Sequence, residues 1–159
     1  PGDVVWVSVG ERFDGGDISL AVGLADGSVV FYSIMLRSDA LPVIEHQFIR
    51  QPSMRAGPGE VSSQGILVDL NQDGCVDLVQ NSEGEVSELW VSMGRCDDTS
   101  FDGQYRLPIP SPTGGRMTSR IMGFVAGNLD NQYGADLVVV TDGDEGAYIH
   151  LGMSVCAPQ

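Results

Sequence analysis

Aspartate stands at positions 17, 77 and 136, spacings of 60 and 59, and each time it opens the same pattern. The three segments read "DISLAVGLADGSVVFYSIM", "DLVQNSEGEVSELWVSMG" and "DLVVVTDGDEGAYIHLGM". Each passes from Asp into an apolar stretch, then a Gly-containing turn ("ADGS", "NSEGE", "TDGDEG"). Each closes on a second stretch rich in aromatic and β-branched residues. Strand, Gly-containing turn, strand is the signature of a β-hairpin. A recurring period constrains the fold more than any local propensity, because every period must become the same supersecondary unit.

The pattern extends on both sides. "VVWVSVG", "GILV" and "IMGFVAG" lead into the acidic segments, while "PVIEHQFI" and "GQYRLPI" precede connectors rich in Pro, Gly and Ser. Each period therefore predicts four short antiparallel strands. Four-stranded units repeated along a chain are the blades of a β-propeller. The expectation is an all-β chain, with residues 1–159 forming one propeller segment. Its repeat cores fall at 4–36, 64–95 and 121–153, with connectors at 37–63 and 96–120. A closed propeller has about 4–8 blades. A chain with room for two to three blades of about 60 residues predicts an incomplete ring, whose open edges other blades or other chains complete. The chain opens at Pro1 without Met, which suits a processed chain or a piece of a longer polypeptide.

Acidic residues outnumber basic ones 22 to 8, for a formal charge of −14, and every basic residue is Arg. Such a surface repels phosphates and anionic head groups, so nucleic acid is not an expected partner. No apolar run approaches the ~20 residues of a membrane-spanning helix, so membrane insertion is not expected either. Asp outnumbers Glu 15 to 7. Asp is a poor helix former that favours turns and hard-cation loops.

The densest acidic stretch is "DLNQDGCVDLV", residues 69–79. A Ca²⁺ ion wants six to eight oxygens, and a loop can supply them from side chains at positions 1, 3 and 5, a carbonyl at 7 and a carboxylate further on. Asp69, Asn71 and Asp73 hold positions 1, 3 and 5, Gly74 permits a sharp turn at 6, Cys75 offers its carbonyl at 7, and Asp77 stands at 9. Three carboxylates this close repel one another unless a cation sits among them. An EF-hand is a poor reading, since position 12 is Gln80 and the flanks are strand-like. The third period carries a weaker set in register, Asn128, Asp130, Gln132 and Asp136. The first carries Glu11, Asp14 and Asp17 on a shorter loop, where no metal is expected.

These residues resemble the FG-GAP/VCBS repeat family, the blades of the integrin-alpha β-propeller and of many secreted proteins. The family pattern runs roughly G-D-x-[DN]-x-D-G-x-x-D-L-V-V. "VDLNQDGCVDLV" matches it closely, "GNLDNQYGADLVVV" in part and "GERFDGGDISLAVG" poorly. The resemblance implies calcium in the loops between blade strands, an extracellular, cell-surface or lumenal setting, and a scaffold for cell adhesion or ligand binding.

Other chemistry finds little footing. His46 and His150 are the only histidines, and no nucleophile elbow, phosphate loop or zinc-protease motif is present. No enzymatic activity is expected. Trp6 and Trp90 read as blade core before sugar platform. Cys75, Cys96 and Cys156 form no C-x-x-C pair, so structural zinc is not expected. Their odd number leaves one disulfide and a free thiol, or a bridge to another chain. Cys96 and Cys156 lie 60 apart, on equivalent sites of neighbouring blades, too distant to bond each other. The function expected is a calcium-binding propeller segment that serves as an extracellular adhesion or protein-interaction scaffold. The alternatives are a carbohydrate-binding or carbohydrate-active propeller, as in a lectin or polysaccharide lyase, and a purely structural subunit of a surface assembly.

Overall fold

Strands and no helix make up the secondary structure of the computed structural model, which describes residues 2–11, 17–35, 43–51, 62–81, 88–96, 101–109, 120–129, 135–143 and 146–150. Three antiparallel sheets follow one another along the chain. The first has the order β1 (Val4–Glu11), β2 (Asp17–Leu24), β3 (Val29–Met35), β4 (Val43–Gln51). The second has the order β5 (Gly65–Val68), β6 (Asp77–Asn81), β7 (Glu88–Gly94), β8 (Phe101–Pro108). In the third, β10 (Asp136–Gly143) lies between β9 (Arg120–Gly127) and β11 (Gly146–His150). Asp17, Asp77 and Asp136 each open the second strand of their sheet.

Local chemistry accounts for the turns. Between β2 and β3, Asp26 Oδ1 accepts the Ser28 N–H at 2.9 Å, and Gly27 takes φ 79°, a left-handed conformation that only Gly adopts freely. That turn sets the register that pairs Gly23 with Val29 and Asp17 with Met35.

The second sheet is covered on both faces, and strand alternation decides which residue meets which neighbour. Leu67 and Leu78, paired across β5 and β6, meet Trp6, Ala21, Val29 and Phe31 of the first sheet. Ile66 and Val79, the next pair, point the other way with Leu89 and Val91, toward Ile121, Phe124, Leu137 and Val139 of the third sheet. The closest approaches between sheets lie at their first strands, β1 against β5 and β5 against β9. Polar groups close these seams. Ser8 Oγ accepts the Leu67 N–H at 2.9 Å. The Gln64 side-chain amide donates to the Phe124 carbonyl at 2.9 Å and accepts its N–H at 3.2 Å, as a neighbouring strand would.

Trp6 sits where the first two sheets meet. Its indole lies over Gly23 of its own sheet and against Gly65 of the next, and a Cβ at either glycine would overlap the ring. Overpacking of this kind costs typically 1–3 kcal/mol. Gly127, at the end of β9, has open space around its missing Cβ. We expect Gly65→Ala and Gly23→Ala each to lower the unfolding free energy by about 2 kcal/mol or more in urea titrations, while Gly127→Ala changes it by less than about 0.5 kcal/mol. Equal effects at all three positions would refute the wedge.

Candidate metal centre

Residues 69–77 leave β5 and wind into a tight loop before β6. Gln72 and Gly74 both take positive φ, 57° and 86°. Nothing lies within 4 Å of where a Gly74 Cβ would be, so glycine is required there by conformation and not by space. This winding folds the loop around Asp69. Asp69 Oδ1 accepts the Asp73 N–H at 3.2 Å, and its Oδ2 accepts the Gly74 N–H at 3.0 Å. Asn71 Oδ1 accepts the Asp73 N–H at 3.1 Å, and Asn71 Nδ2 donates to Asp73 Oδ2 at 2.7 Å. Asp73 Oδ1 accepts the Cys75 N–H at 2.8 Å. The side-chain oxygens of positions 69, 71 and 73 are thereby gathered on one short loop.

Asp77 closes the loop from below and is fully buried. Its Oδ2 accepts the Leu70 N–H at 2.9 Å and its Oδ1 the Gly94 N–H at 2.8 Å. Burial pushes the Asp77 carboxyl up to about 6; the Gly94 and Leu70 amides pull against that, and the charges of Asp73 and Asp69 add to it. Among the described residues no basic side chain pairs with Asp69, Asp73 or Asp77.

A disulfide joins Cys75, in the loop, to Cys96, just past β7, with a Cα–Cα distance of 4.9 Å. The pairing uses Cys96 and so agrees with the expectation of no Cys96–Cys156 bond; Cys156 lies outside the described residues. Nothing in the cysteine spacing singles out this pair. It forms because the end of β7 returns beside the loop that precedes β6. Among the described residues, Asp73, Cys75 and Cys96 are the one set of three potential metal ligands with atoms within 4.8 Å of one another. Its sulfurs are spent on each other, so that set offers no thiolate.

The donor chemistry of the loop fits a hard cation. Asp69, Asn71, Asp73 and the Cys75 carbonyl supply oxygen only. Each Asp77 oxygen that accepts one amide keeps a second lone pair. The structure ties Asp69, Asn71 and Asp73 together by hydrogen bonds and ties Asp77 to the Leu70 N–H, but the Asp69, Asp73 and Asp77 carboxylates do not all lie within 4.8 Å of one another. In the third sheet Asp136 is buried and Leu129 donates its N–H to Asp136 Oδ2 at 2.8 Å, the same seven-residue contact as Leu70 to Asp77. Asn128 is exposed beside it, while Asp130 and Gln132 lie outside the described residues, as does Asp14 of the first loop. Glu11 and Asp17 are placed by backbone only, in β1 and at the head of β2, and the side chains of His46 in β4 and His150 in β11 are likewise not described. Trp6 and Trp90 are both buried, Trp90 beneath the Arg106 guanidinium at 4.5 Å. Comparison with protein-family models, with curated proteins and with solved structures finds no match for this chain.

Two measurements test this geometry. Asp77 holds its proton up to about pH 6 when folded, against about 4 when unfolded. The folded state therefore carries the extra proton between those values. Its share of stability is largest below pH 4 and declines as the pH rises to 6. In chelator, the unfolding free energy of wild type relative to Asp77→Asn should fall by on the order of 2 kcal/mol from pH 4 to 6.5, then level off. A flat difference would show that burial does not act on this carboxyl. Separately, opening the Cys75–Cys96 bond, which closes a sequence separation of 21 residues, should cost about 3 kcal/mol. A Cys75→Ser/Cys96→Ser double variant as stable as wild type would refute that.

Proposed function

We propose that the chain is a calcium-binding segment of a β-propeller that serves as an extracellular scaffold for adhesion or protein interaction. The observation that carries this reading is the loop at 69–77, where the charges of Asp73 and Asp69 act on the buried carboxyl of Asp77 with no basic partner among the described residues. A divalent ion held by Asp69, Asn71, Asp73, the Cys75 carbonyl and Asp77 would offset that repulsion and lower the affinity of Asp77 for its proton. A second, weaker ion would be held by the loop from Asn128 to Asp136, with Asp130 and Gln132.

The propeller part is supported by the order of the sheets. In a propeller each blade is a meander, blades stack face to face, and their first strands crowd near the axis while the outer strands fan apart. Here three meanders stack in chain order, and their closest approaches are at β1, β5 and β9. The extracellular setting is supported by the Cys75–Cys96 bond, since disulfides persist in oxidising compartments. The partners proposed are further blades and a protein ligand.

Because the folded loop binds the ion and the unfolded chain scarcely does, calcium raises stability by mass action, by roughly 2.7 kcal/mol at a hundred times the dissociation constant. Thermal melting in calcium and in chelator, for wild type and Asp73→Ala, reads this directly. Wild type should melt several degrees higher in calcium, Asp73→Ala should lose most of that gain, and magnesium should substitute poorly because it demands a tighter octahedron. Equal melting temperatures for wild type in calcium and in chelator would reduce the loop to a turn.

A further inference from the structure

Cys75 and Cys96 meet where the acidic loop lies against the end of β7, and Asp73 joins them. One carboxylate oxygen of Asp73 and the two sulfurs lie within 4.8 Å of one another. Cys75 is buried, whereas Asp73 and Cys96 are exposed, so solvent reaches the cluster. In the oxidised chain the two sulfurs hold each other. Reduction removes that bond and leaves the other contacts that set the two segments side by side. Asp77 takes the Leu70 N–H on one oxygen and the Gly94 N–H on the other, which ties the loop to the end of β7 without sulfur. Gly94 packs directly on the Val76 carbonyl, where a Cβ would collide. Cys75 stands two residues before Asp77 and Cys96 two after Gly94, so both thiols flank this anchor. Asp73 Oδ1 also accepts the Cys75 N–H at 2.8 Å, which fixes the carboxylate beside that cysteine.

We infer that the reduced chain holds one zinc-class divalent ion on the Cys75 and Cys96 thiolates and the Asp73 carboxylate, with water in the fourth position. Around a tetrahedral ion with Zn–S of ~2.3 Å, two sulfurs stand about 3.8 Å apart; with Zn–O of ~2.1 Å, sulfur and oxygen stand about 3.6 Å apart. Both separations fall inside the 4.8 Å that already contains the three atoms, so rotation of side chains seats the ion. Two thiolates select a borderline-soft ion over calcium or magnesium, which take oxygen. Two thiolates and a carboxylate this close also repel one another, and the ion offsets that repulsion. The exchange balances with a dithiol or phosphine as reductant. Two electrons enter the S–S bond, which becomes two thiols, and the ion then displaces one proton from each. Disulfide and ion are thus alternative links between the same two segments. The inference does not rest on the calcium reading, although the two sets of ligands share Asp73.

Cobalt(II) is the probe, because a thiolate bound to it gives a charge-transfer absorption that an oxygen ligand does not. The titration uses the full 159-residue chain with Cys156→Ser, which removes the third cysteine, and a phosphine reductant, which adds no thiol. The reduced chain should take up one cobalt with thiolate charge transfer, and zinc should displace it. The unreduced chain should show no such absorption. Cys75→Ser and Cys96→Ser should each lose the two-thiolate spectrum, and Asp73→Asn should keep it while weakening binding by about tenfold or more. Where a cysteine variant does not fold, alkylation of the reduced chain replaces it: zinc should protect both thiols from the reagent, and prior alkylation should abolish the cobalt absorption. A reduced chain that shows no charge transfer at a large excess of cobalt overturns the inference, and so does one that loses its sheet circular dichroism and binds nothing. An absorption that survives Cys75→Ser or Cys96→Ser unchanged, or an Asp73→Asn chain that binds as tightly as its parent, overturns the assigned ligands. Calcium melting of the oxidised chain is read separately, so either result stands without the other.

Discussion

A single buried carboxylate holds the centre of this molecule together. Asp77 begins β6, and its two oxygens accept the amides of Leu70, before the acidic loop, and Gly94, at the end of β7. One side chain thus fixes the loop and the far end of the hairpin at once. The influence extends further, because the Leu70 carbonyl accepts the Ala135 N–H at 3.0 Å, at the threshold of β10. A buried charge is costly unless its lone pairs are used. Here each oxygen has an amide, and the strand end comes close enough to supply one because Gly94 has no Cβ to meet the Val76 carbonyl.

Around that carboxylate the sheets are joined by polar devices as well as by apolar contact. Asn81 Oδ1 accepts the amides of Ser63 and Gln64 and the Ser62 hydroxyl, which fixes the approach to β5. Gln64, so held, reaches across to bond both backbone groups of Phe124. The edge of β9 is therefore partly paired by a side chain, which blunts an otherwise open ladder. The same approach places Gly65 against Trp6. Positioning of the second sheet against both neighbours thus runs through residues 62 to 65, at the entry to the strand that leads into the acidic loop.

Much of this was legible in the residues. Strand positions follow from the period: "VVWVSVG", "GILV" and "IMGFVAG" lie on β1, β5 and β9, and the recurring Asp opens β2, β6 and β10. Period and alternation are local, so they survive folding. The gathering of Asp69, Asn71 and Asp73 was legible for the same reason, since residues two and four apart in one tight loop meet by local hydrogen bonds. What escaped was long-range. The Cys75–Cys96 bond depends on where β7 ends in space, and three cysteines allow three pairings. Trp6 against Gly65, and Gln64 against Phe124, join residues about one period apart, but the period does not say which side chains meet across a seam. The Asn81 network had one faint signal, a polar residue at the end of the apolar run "DLVQN".

The last Asp of each acidic loop has a task of its own. The last Asp does structural work that needs no ion, because Asp77 and Asp136 each bind the amide of a leucine seven residues back. The earlier positions bind amides too, Asp69 those of Asp73 and Gly74 and Asp73 that of Cys75, but only within the loop itself. Where the second period has Asp73, the third has Gln132, and where it has Gly74, the third has Tyr133. The third loop thus carries one carboxylate fewer, yet the strand start at Asp136 is kept. A buried carboxylate tied to backbone amides resists substitution because its loss strands buried N–H groups. Amides of an exposed loop can turn to water instead, so a change at the earlier positions costs the fold less. The leading Asp therefore marks where a strand begins, and the residues ahead of it set how much carboxylate charge the preceding loop carries.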